Sequence, residues 1–265
     1  MTTKITLATM ATFTLFFILL LPQGLVRASE TLDTDADGLS DYDEVHLYHS
    51  DPNQADTDSD GFTDGEEVAA GYSPLTGDKK KLTELDTDGD GLSDALEIAL
   101  GTDVLYPDTD GDNFVDGMEV ANGFNPWVGD NDRQVARTVK VDLTTQQLSY
   151  YLNQVKVGSM PVSSGVLSML TPAGHFTIMK KVPTKRYTGA TYDFPNTKWN
   201  LQFKNGFYLH GAYWHNQFGI RPMSHGCVNI ATANAEKLYR FLDIGDAVTI
   251  AGKTPRVVQQ TLAKK

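Results

Sequence analysis

The residues best able to do chemistry lie in residues 224–229, which read Ser-His-Gly-Cys-Val-Asn and contain Cys227, the only cysteine among 265 residues. A second His-Gly pair, His210-Gly211, lies upstream. The chain offers this thiol no internal disulfide partner, so a cysteine near two histidines is best explained as a nucleophile. A free thiol has a pKa of about 8.5 and is mostly protonated at neutral pH, so an adjacent imidazole and backbone N–H groups are needed to form the thiolate.

A mostly β fold must position these residues. The runs 139–143, 147–152, 155–161, 175–180 and 207–210 read as strands between turn signals. Residues 232–242 carry Ala235, Leu238, Tyr239 and Leu242 at helical spacing, and residues 247–250 read as a last strand. The sequence therefore predicts a β-rich domain whose one clear helix follows the cysteine.

The preceding part of the chain contains four similar acidic segments, each starting with Asp-Thr-Asp. Each segment has acids at loop positions 1, 3, 5, 9 and 12 and offers a backbone carbonyl at position 7, which is the oxygen-ligand pattern of a calcium loop. The predicted Ca²⁺ ligands are Asp33, Asp35, Asp37, Leu39, Asp41 and Glu44 in loop 1; Asp56, Asp58, Asp60, Phe62, Asp64 and Glu67 in loop 2; Asp86, Asp88, Asp90, Leu92, Asp94 and Glu97 in loop 3; and Asp108, Asp110, Asp112, Phe114, Asp116 and Glu119 in loop 4.

Glycine at position 6 supplies the sharp turn in the first three loops, and Asn113 stands there in the fourth. Asparagine tolerates the left-handed conformation, so we expect a retained but weaker fourth site. A short helix is expected after each position-12 glutamate, ended by Gly71, Gly101 and Gly123 in three cases. No helix is expected to lead into the loops, so the segments resemble thrombospondin type 3 or dockerin-like repeats rather than complete EF-hands.

The loops form a duplicated pair. Residues 71–78 recur as residues 123–130 at an offset of 52, and the first and third loops are offset by 53. This spacing predicts two-loop units over residues 33–78 and 86–130, joined by a hinge at residues 79–81. A disordered acidic spacer is the alternative that composition alone favours, but four loops in register favour a folded calcium module.

The net charge of −12 conceals two opposite halves. Residues 30–132 carry 29 acidic residues against 3 lysines, a net charge of −26, whereas residues 133–265 carry 17 Lys and Arg against 5 acidic residues, a net charge of +12. This change in composition predicts a boundary near residues 130–133 between repeats at 30–132 and a catalytic domain at 133–252, followed by a basic tail at 253–265.

The N-terminus has the pattern of an export signal. Lys4 precedes an apolar run over residues 5–21, then a Pro/Gly break and a small-residue site at Ala28. The pattern predicts a signal peptide over residues 1–28, and a run of this length is also compatible with an uncleaved membrane anchor. In both cases the remaining chain is exported to the periplasm, cell wall or cell surface.

Residues 207–215, residues 218–219 and the 224–229 segment together resemble the L,D-transpeptidases of bacterial cell walls, as do residues 160–165 and 171–176 upstream. The resemblance spans about residues 137–252 and does not include the calcium module. It implies that Cys227 is the nucleophile, that His210 takes its proton and that the Gly211 carbonyl orients the imidazole. The amides of Gly226 and Cys227 would face the oxyanion, and His225 either stabilises that oxyanion or packs behind the loop.

The resemblance also suggests the walls of a substrate groove. The residues assigned to substrate binding are Tyr192, Trp214, Arg221, Ser224 and Asn229. Some relatives have arginine at the position of Asn229, so a guanidinium contact is open to Arg221 instead. Aromatic residues in a β-rich domain are often core residues, which is the alternative for Tyr192 and Trp214.

We therefore expect a mostly β catalytic domain of the L,D-transpeptidase sandwich or barrel type, joined to an elongated module of loops and short helices that bind calcium. The expected activity is 3→3 cross-linking of peptidoglycan stem peptides through a thioester, with no cofactor for catalysis and no nucleic acid partner. The alternatives are hydrolysis of the thioester or its transfer to a protein, and a calcium-dependent wall-binding protein with a vestigial catalytic fold. The acidic repeats also offer a surface to other wall polymers or proteins.

Overall fold

The computed structural model describes residues 32–77, 80–129, 135–190 and 192–256. The predicted signal segment, the first lysine of the hinge, the predicted boundary at 130–133 and most of the basic tail lie outside the described residues. Within the described ranges, no helix is both long enough and apolar enough to span a membrane.

Each acidic loop leads into one short helix. The helices are α1 (Asp41–Asp43), which continues as a π-helix over Glu44–Tyr48, α2 (Asp64–Ala70), α3 (Asp94–Leu100) and α4 (Asp116–Asn122). The last three end at Gly71, Gly101 and Gly123 in the left-handed conformation, with φ of 82°, 81° and 72°. Asn113 also has a positive φ, of 73°. The predicted short helices, their glycine ends and the left-handed asparagine are therefore present, but each helix begins at position 9 of its loop instead of after the position-12 glutamate.

The duplication seen in the sequence is repeated in the contacts of the two loop pairs. Gly65 N–H donates to Asp37 Oδ2 across 2.7 Å in the first pair. Gly117 N–H donates to Asp90 Oδ2 across 2.6 Å in the second pair. In each pair the fifth residue of the first loop thus holds the helix that follows the second loop.

The remainder of the described chain forms a nine-stranded sheet with one helix, in the strand order β4-β9-β1-β2-β3-β8-β7-β6-β5. The strands are β1 (Arg137–Asp142), β2 (Gln147–Leu152), β3 (Val155–Ser163), β4 (Gly174–Thr177), β5 (Lys180–Gly189), β6 (Tyr192–Lys204), β7 (Phe207–Ala212), β8 (Val228–Ala231) and β9 (Ala247–Ala251), and α5 (Thr232–Phe241) follows β8. The sheet curves into a half-barrel, which confirms the mostly β fold with its helix after the cysteine.

Two neighbouring interior strands of the sheet bring the reactive residues together. β7 and β8 pair in parallel, with Leu209 opposite Val228 and His210 opposite Asn229. Cys227 immediately precedes β8, so its side chain emerges beside the start of β7. A parallel pair needs a crossover connection, and this connection contains residues 213–227.

The strand predictions were incomplete on one side of the sheet. Residues 175–180 were predicted as one strand, but β4 ends at Thr177 and β5 begins at Lys180. The long antiparallel hairpin of β5 and β6 and the short strand β8 were not predicted. This hairpin forms one wall of the site described below.

One hydrophobic core serves both parts of the described chain. Its buried members include residues of β1, β2, β3, β6, β7, β8, β9 and α5. Leu92, Leu100 and Val120 of the second loop pair belong to the same cluster, and Leu96 and Trp127 pack against it. The second loop pair is therefore in direct contact with the sheet domain.

Candidate functional site

A cavity of about 310 Å³ opens where β5, β6 and β7 meet the loop before β8. Cys227, His210 and His225 all line it. Its remaining lining residues are mostly aromatic or small: Tyr187, Tyr192, Phe194, Gly206, Trp214, Met223, Ser224 and Asn229. The geometry thus brings the predicted nucleophile and the predicted base into one cleft.

His210 is buried in β7 and has a defined orientation. Its Nδ1 lies 3.0 Å from the Gly211 carbonyl oxygen, and since a carbonyl only accepts, Nδ1 carries the proton and donates. Nε2 therefore keeps its lone pair. The Tyr187 ring stacks on the imidazole at 4.9 Å between centroids. Burial lowers the pKa of His210 to about 4, although the hydrogen bond to Gly211 opposes this shift.

Burial shifts the pKa of Cys227 in the opposite direction to that of His210. Its Sγ lies 4.0 Å from the Gly206 carbonyl oxygen. Burial raises the pKa of the thiol to about 11, while the Tyr208 backbone N–H and the charge of Lys185 act to lower it. Burial thus favours the neutral form of both the thiol and the imidazole.

Lys185 places a positive charge beside this pair. Its Nζ lies 5.2 Å from the centroid of the Tyr187 ring and 5.5 Å from that of Tyr208. These two rings pack edge to face at 5.8 Å. The lysine is thus held on the aromatic residues that flank the imidazole and the thiol.

The loop before β8 is fixed by its own hydrogen bonds. The Ser224 hydroxyl donates to the Cys227 carbonyl and accepts from Gly226 N–H across 3.1 Å. Gly226 has φ of 112°, and an added Cβ would lie 2.8 Å from the Phe207 ring, so glycine is required here. The Gly226 N–H is thus engaged within the loop instead of facing the cavity. The Ser224 hydroxyl ties the loop together, while Ser224 also lines the cavity, where its assignment to substrate binding requires it to be.

His225 is exposed and stands at the cavity mouth rather than behind the loop. Its ring packs on Tyr192 at 4.5 Å. Tyr192 in turn stacks on Phe194 at 5.4 Å, and Phe194 stacks on Trp214 at 3.7 Å with an interplanar angle of 7°. Tyr192 and Trp214 therefore lie in the cavity wall, where their assignment to substrate binding requires them to be.

Asn229 lies in the cavity wall, whereas Arg221 is not among the residues that line the cavity. The Asn229 side chain lines the cavity but lies 2.9 Å from His215 Nε2, so it also anchors the loop that carries His215. Arg221 is exposed, and its carbonyl accepts a 2.7 Å hydrogen bond from the Ser163 hydroxyl. Its guanidinium does not contribute to the described cavity wall. The structure thus provides no support for a guanidinium contact from Arg221 in place of one at position 229.

Several cavity residues had no signal in the sequence. Tyr187 and Phe194 lie on the hairpin of β5 and β6, which was not predicted, and Tyr187 donates a 3.0 Å hydrogen bond to Asn200 Oδ1. Gly206 and Met223 contribute a turn and an apolar side chain. The spacing of the two His-Gly pairs identifies the reactive residues but says nothing about the opposite wall.

The acidic loops bring their first three carboxylates together. Oxygen atoms of positions 1, 3 and 5 lie within 4.8 Å of one another in all four loops. The groups are Asp33, Asp35 and Asp37; Asp56, Asp58 and Asp60; Asp86, Asp88 and Asp90; and Asp108, Asp110 and Asp112. The N–H at position 7 donates to the carboxylate at position 5, as Leu92 does to Asp90 across 2.7 Å.

The position-12 glutamates are buried, and their carboxylates are only partly satisfied or have no hydrogen bond. Glu44, Glu67, Glu97 and Glu119 are at most 6% exposed, and each has at least one buried carboxylate oxygen without a hydrogen bond. Burial, together with the neighbouring aspartates, raises the pKa of Glu97 and Glu119 to about 8. Buried, mutually repelling oxygens of this kind fit a hard divalent cation such as Ca²⁺.

The position-9 aspartates have a second role. In each loop this carboxylate accepts from both the N–H and the hydroxyl of the threonine at position 2, as Asp64 does from Thr57 across 2.8 and 2.6 Å. The same ties join Asp41 to Thr34, Asp94 to Thr87 and Asp116 to Thr109. Asp116 also lies within 4.8 Å of Asp90 and Glu97 of the preceding loop. These residues close the loop whether or not they also contact a cation.

Family models match both parts of the chain. The L,D-transpeptidase catalytic domain (YkuD) matches residues 136–250. The bacterial TSP3 repeat matches residues 33–55, 56–71 and 86–103. The matched repeat segments contain loops 1 to 3, and loop 4, with Asn113 in place of glycine, lies outside them.

Individual relatives match the same region. The protein named "Probable L,D-transpeptidase 3" from Mycobacterium tuberculosis is 30% identical over 104 residues, which cover 35% of this chain and 38% of that protein. L,D-transpeptidase 2 of the same species is 28% identical over 131 residues, covering 44% of this chain and 32% of that protein. The crystal structure of an L,D-transpeptidase from Stackebrandtia nassauensis matches with 31% identity and a TM-score of 0.40, covering 46% of this chain and 58% of that one. The chain thus spans about two fifths or less of the curated relatives' length.

Proposed function

We propose that this protein is a cysteine-dependent L,D-transpeptidase that acts on peptidoglycan stem peptides outside the cytoplasm and forms 3→3 cross-links. The observation that carries the proposal is the shared cavity of Cys227 and His210, in which the Gly211 carbonyl holds the imidazole with Nε2 unprotonated. The match of residues 136–250 to the L,D-transpeptidase catalytic domain supports the same reaction class.

In the first half-reaction, Cys227 attacks the carbonyl of the third stem residue at its L-centre. The thiol proton moves to Nε2 of His210 as the S–C bond forms, since burial favours the neutral form of both groups before substrate binds. The oxyanion is stabilised by the Cys227 N–H and by His225 at the cavity mouth. The C–N bond to the terminal D-alanine then breaks, and the imidazolium protonates the leaving amine.

In the second half-reaction, an amine of another stem peptide attacks the thioester. His210 accepts a proton from this amine as the new C–N bond forms, and the proton returns to sulfur as the C–S bond breaks. The products are a 3→3 cross-link and the regenerated neutral pair. Passing through one covalent intermediate avoids aligning two peptides and the cysteine at once.

The acidic repeats have a structural role in this proposal. Bound Ca²⁺ would supply the positive charge that the clustered carboxylates lack, with Asp at positions 1, 3 and 5 and Glu at position 12 as ligands in each loop. The partnerless glutamate oxygens support this assignment, since buried carboxylates are rarely left without a partner.

The nucleophile is tested with a carbapenem and with isolated cell wall. Because Cys227 is the only cysteine, intact-protein mass spectrometry should detect one covalent adduct in the natural protein and none in Cys227→Ala. His210→Ala should lose acylation almost completely while remaining folded. His225→Ala should acylate about 10²–10³-fold more slowly if it stabilises the oxyanion.

The reaction products distinguish cross-linking from hydrolysis and from transfer to a protein. Cross-linked dimers released from digested wall are expected, whereas tripeptides alone would indicate hydrolysis, and a stem attached to protein would indicate transfer to a lysine. The absence of any adduct on a folded natural protein would overturn the enzymatic proposal and leave a calcium-dependent wall-binding protein.

A further inference from the structure

The two loop pairs differ in their relation to the sheet domain, although they are copies in sequence. The core members that precede residue 135 in the described chain all belong to the second pair: Leu92, Leu96, Leu100, Val120 and Trp127. α4 packs on α5, and α3 contacts β3. The second pair therefore contributes side chains to the core that positions the catalytic strands.

Gly123 is the closest point of this contact. It ends α4, and a Cβ added there would collide with the Phe241 carbonyl oxygen at the end of α5. The equivalent residue of the first pair is Gly71, which has a similar φ of 82° but nothing within 4 Å of an added Cβ. The same backbone turn thus contacts the sheet domain in the second pair and has no such contact in the first pair.

Arg137 links this point to the catalytic fold. Its Nη1 donates to the Gly123 carbonyl across 2.9 Å, and its Nε lies 2.7 Å from Asp246 Oδ2. Arg137 begins β1, Asp246 directly precedes β9, and the arginine is only 8% exposed. A buried ion pair of this kind depends on its surrounding contacts, because losing one partner leaves the other charge uncompensated.

The same helix carries a predicted calcium ligand. Glu119 stands beside Val120 in α4, and both Glu119 oxygens are buried without a hydrogen-bond partner. Without a cation these oxygens face Asp110, Asp112 and other acids, which opposes the conformation of α4. A bound cation removes that repulsion and holds α4 where Val120 and Gly123 meet the sheet domain.

We infer that calcium in the second loop pair stabilises the catalytic domain itself, whereas calcium in the first pair stabilises only the repeats. The inference rests on the proposed calcium binding but not on the proposed reaction. The second pair forms one folding unit with the sheet domain, whereas the first pair is an appended module. By linkage, the stability of the catalytic domain should rise with the free calcium concentration until the second pair is filled.

The duplication supplies a matched pair of variants for the test. Glu119→Gln and Glu67→Gln each remove one charge at position 12 of equivalent loops. Thermal unfolding of the full chain is followed by near-ultraviolet circular dichroism, which reports the packing of Trp199 and Trp214 in the sheet domain and of Trp127 where the second pair meets that domain. Each protein is measured in excess EDTA and in millimolar calcium, and bound calcium is counted separately by titration calorimetry.

The natural protein and Glu67→Gln should both show a calcium-induced rise of about 4 °C or more in the midpoint of this transition. Glu119→Gln should lose most of that rise. Failure to bind calcium at all would refute the proposed metal sites. Calcium binding without any rise in the natural protein, or an equal rise in both variants, would refute the inference.

A second comparison does not depend on altering a ligand. Gly71→Ala and Gly123→Ala introduce the same backbone strain, but only the second meets Phe241. Gly123→Ala should lower the midpoint of the sheet-domain transition in calcium and reduce the calcium-induced rise, whereas Gly71→Ala should leave both close to those of the natural protein. Equal effects of the two substitutions would also overturn the inference.

Discussion

Burial shifts the pKa values of the two reactive residues in opposite directions. Burial lowers the pKa of His210 to about 4 and raises that of Cys227 to about 11. Burial therefore favours the uncharged form of both groups. The orientation of His210 by Gly211 matters more in such a site, because the proton must move during attack rather than before it.

The first prediction concerns the acid limit of the reaction. Because the pKa of His210 is lowered, its neutral, proton-accepting form persists well below pH 6.5. The rate of D-alanine release from a synthetic stem tetrapeptide, kcat/KM, should therefore stay nearly constant from pH 7 to about pH 5 and fall only towards pH 4.

The unfolded chain binds a proton at this histidine below pH 6.5, so stability falls as the pH drops through this window. Rates must therefore be referred to folded protein, measured by circular dichroism at each pH. A half-loss of the rate near pH 6.5 would contradict the prediction.

The second prediction concerns Lys185. Its charge lowers the pKa of the Cys227 thiol, so Lys185→Gln should raise that pKa by about half a unit and slow alkylation by iodoacetamide about threefold at a fixed pH. Lys185→Arg should preserve the rate. Lys140→Gln is the matched control, since Lys140 lies 4.3 Å from the Tyr151 ring in a similar contact on β1. If Lys185→Gln were alkylated as fast as the natural protein at the same pH, the electrostatic role of Lys185 would be refuted.

At the scale of elements, the hairpin of β5 and β6 supplies the wall opposite the cysteine loop. Its tip lies over the site through one continuous aromatic stack from His225 to Trp214. β5 is also the last strand of the sheet, so this wall is supported from one side only. The aromatic stack connects the β6 side of this hairpin to the residues on the other side of the cavity.

Phe194→Ala tests the stack. Removing the ring that lies 3.7 Å from Trp214 should loosen the wall and raise KM for a stem peptide about tenfold, with a smaller change in kcat, because the reactive pair stands on other elements. Phe194→Leu should give an intermediate KM. Steady-state kinetics of the three proteins would contradict the prediction if kcat alone fell.

The predictability of these elements follows from their exposure. β2 and β7 could be recognised because apolar residues and turn signals mark their limits. β5 has no buried residue, the first half of β6 is mostly exposed, and the two strands contain Pro183 and Pro195; proline lowers strand propensity except at sheet edges. Cys227 and His210 could be identified from their motifs, whereas Tyr187 and Phe194 could not, because they reach the cavity through a hairpin that lacks a strand pattern.

At the scale of the whole molecule, charge and packing divide the chain at different places. Charge divides it near residue 132, into parts of −26 and +12. The buried core extends further back and includes Leu92 of the third loop. Composition therefore predicted two separate modules, but it contains no information on which apolar residues of the repeats find partners outside them.

This asymmetry predicts the order of proteolysis. A protease that cleaves after acidic residues meets 29 such residues between positions 30 and 132. In EDTA it should cut the first loop pair early and leave a fragment that contains the second pair and the sheet domain, because only that pair shares the core. In millimolar calcium both pairs should resist. Mass spectrometry of the fragments over time would contradict the prediction if both pairs disappeared at the same rate.

The threonine–aspartate ties have a consequence for the thermodynamics of chelation. Each tie joins positions 2 and 9 and so closes most of the loop into a ring without engaging positions 1, 3 or 5. Fixing the backbone of one residue costs about 1–2 kcal/mol of conformational entropy, and part of that cost is met by the tie before a cation enters. Each loop is thus a preorganised chelator, and its affinity depends on a threonine that supplies no ligand to the ion.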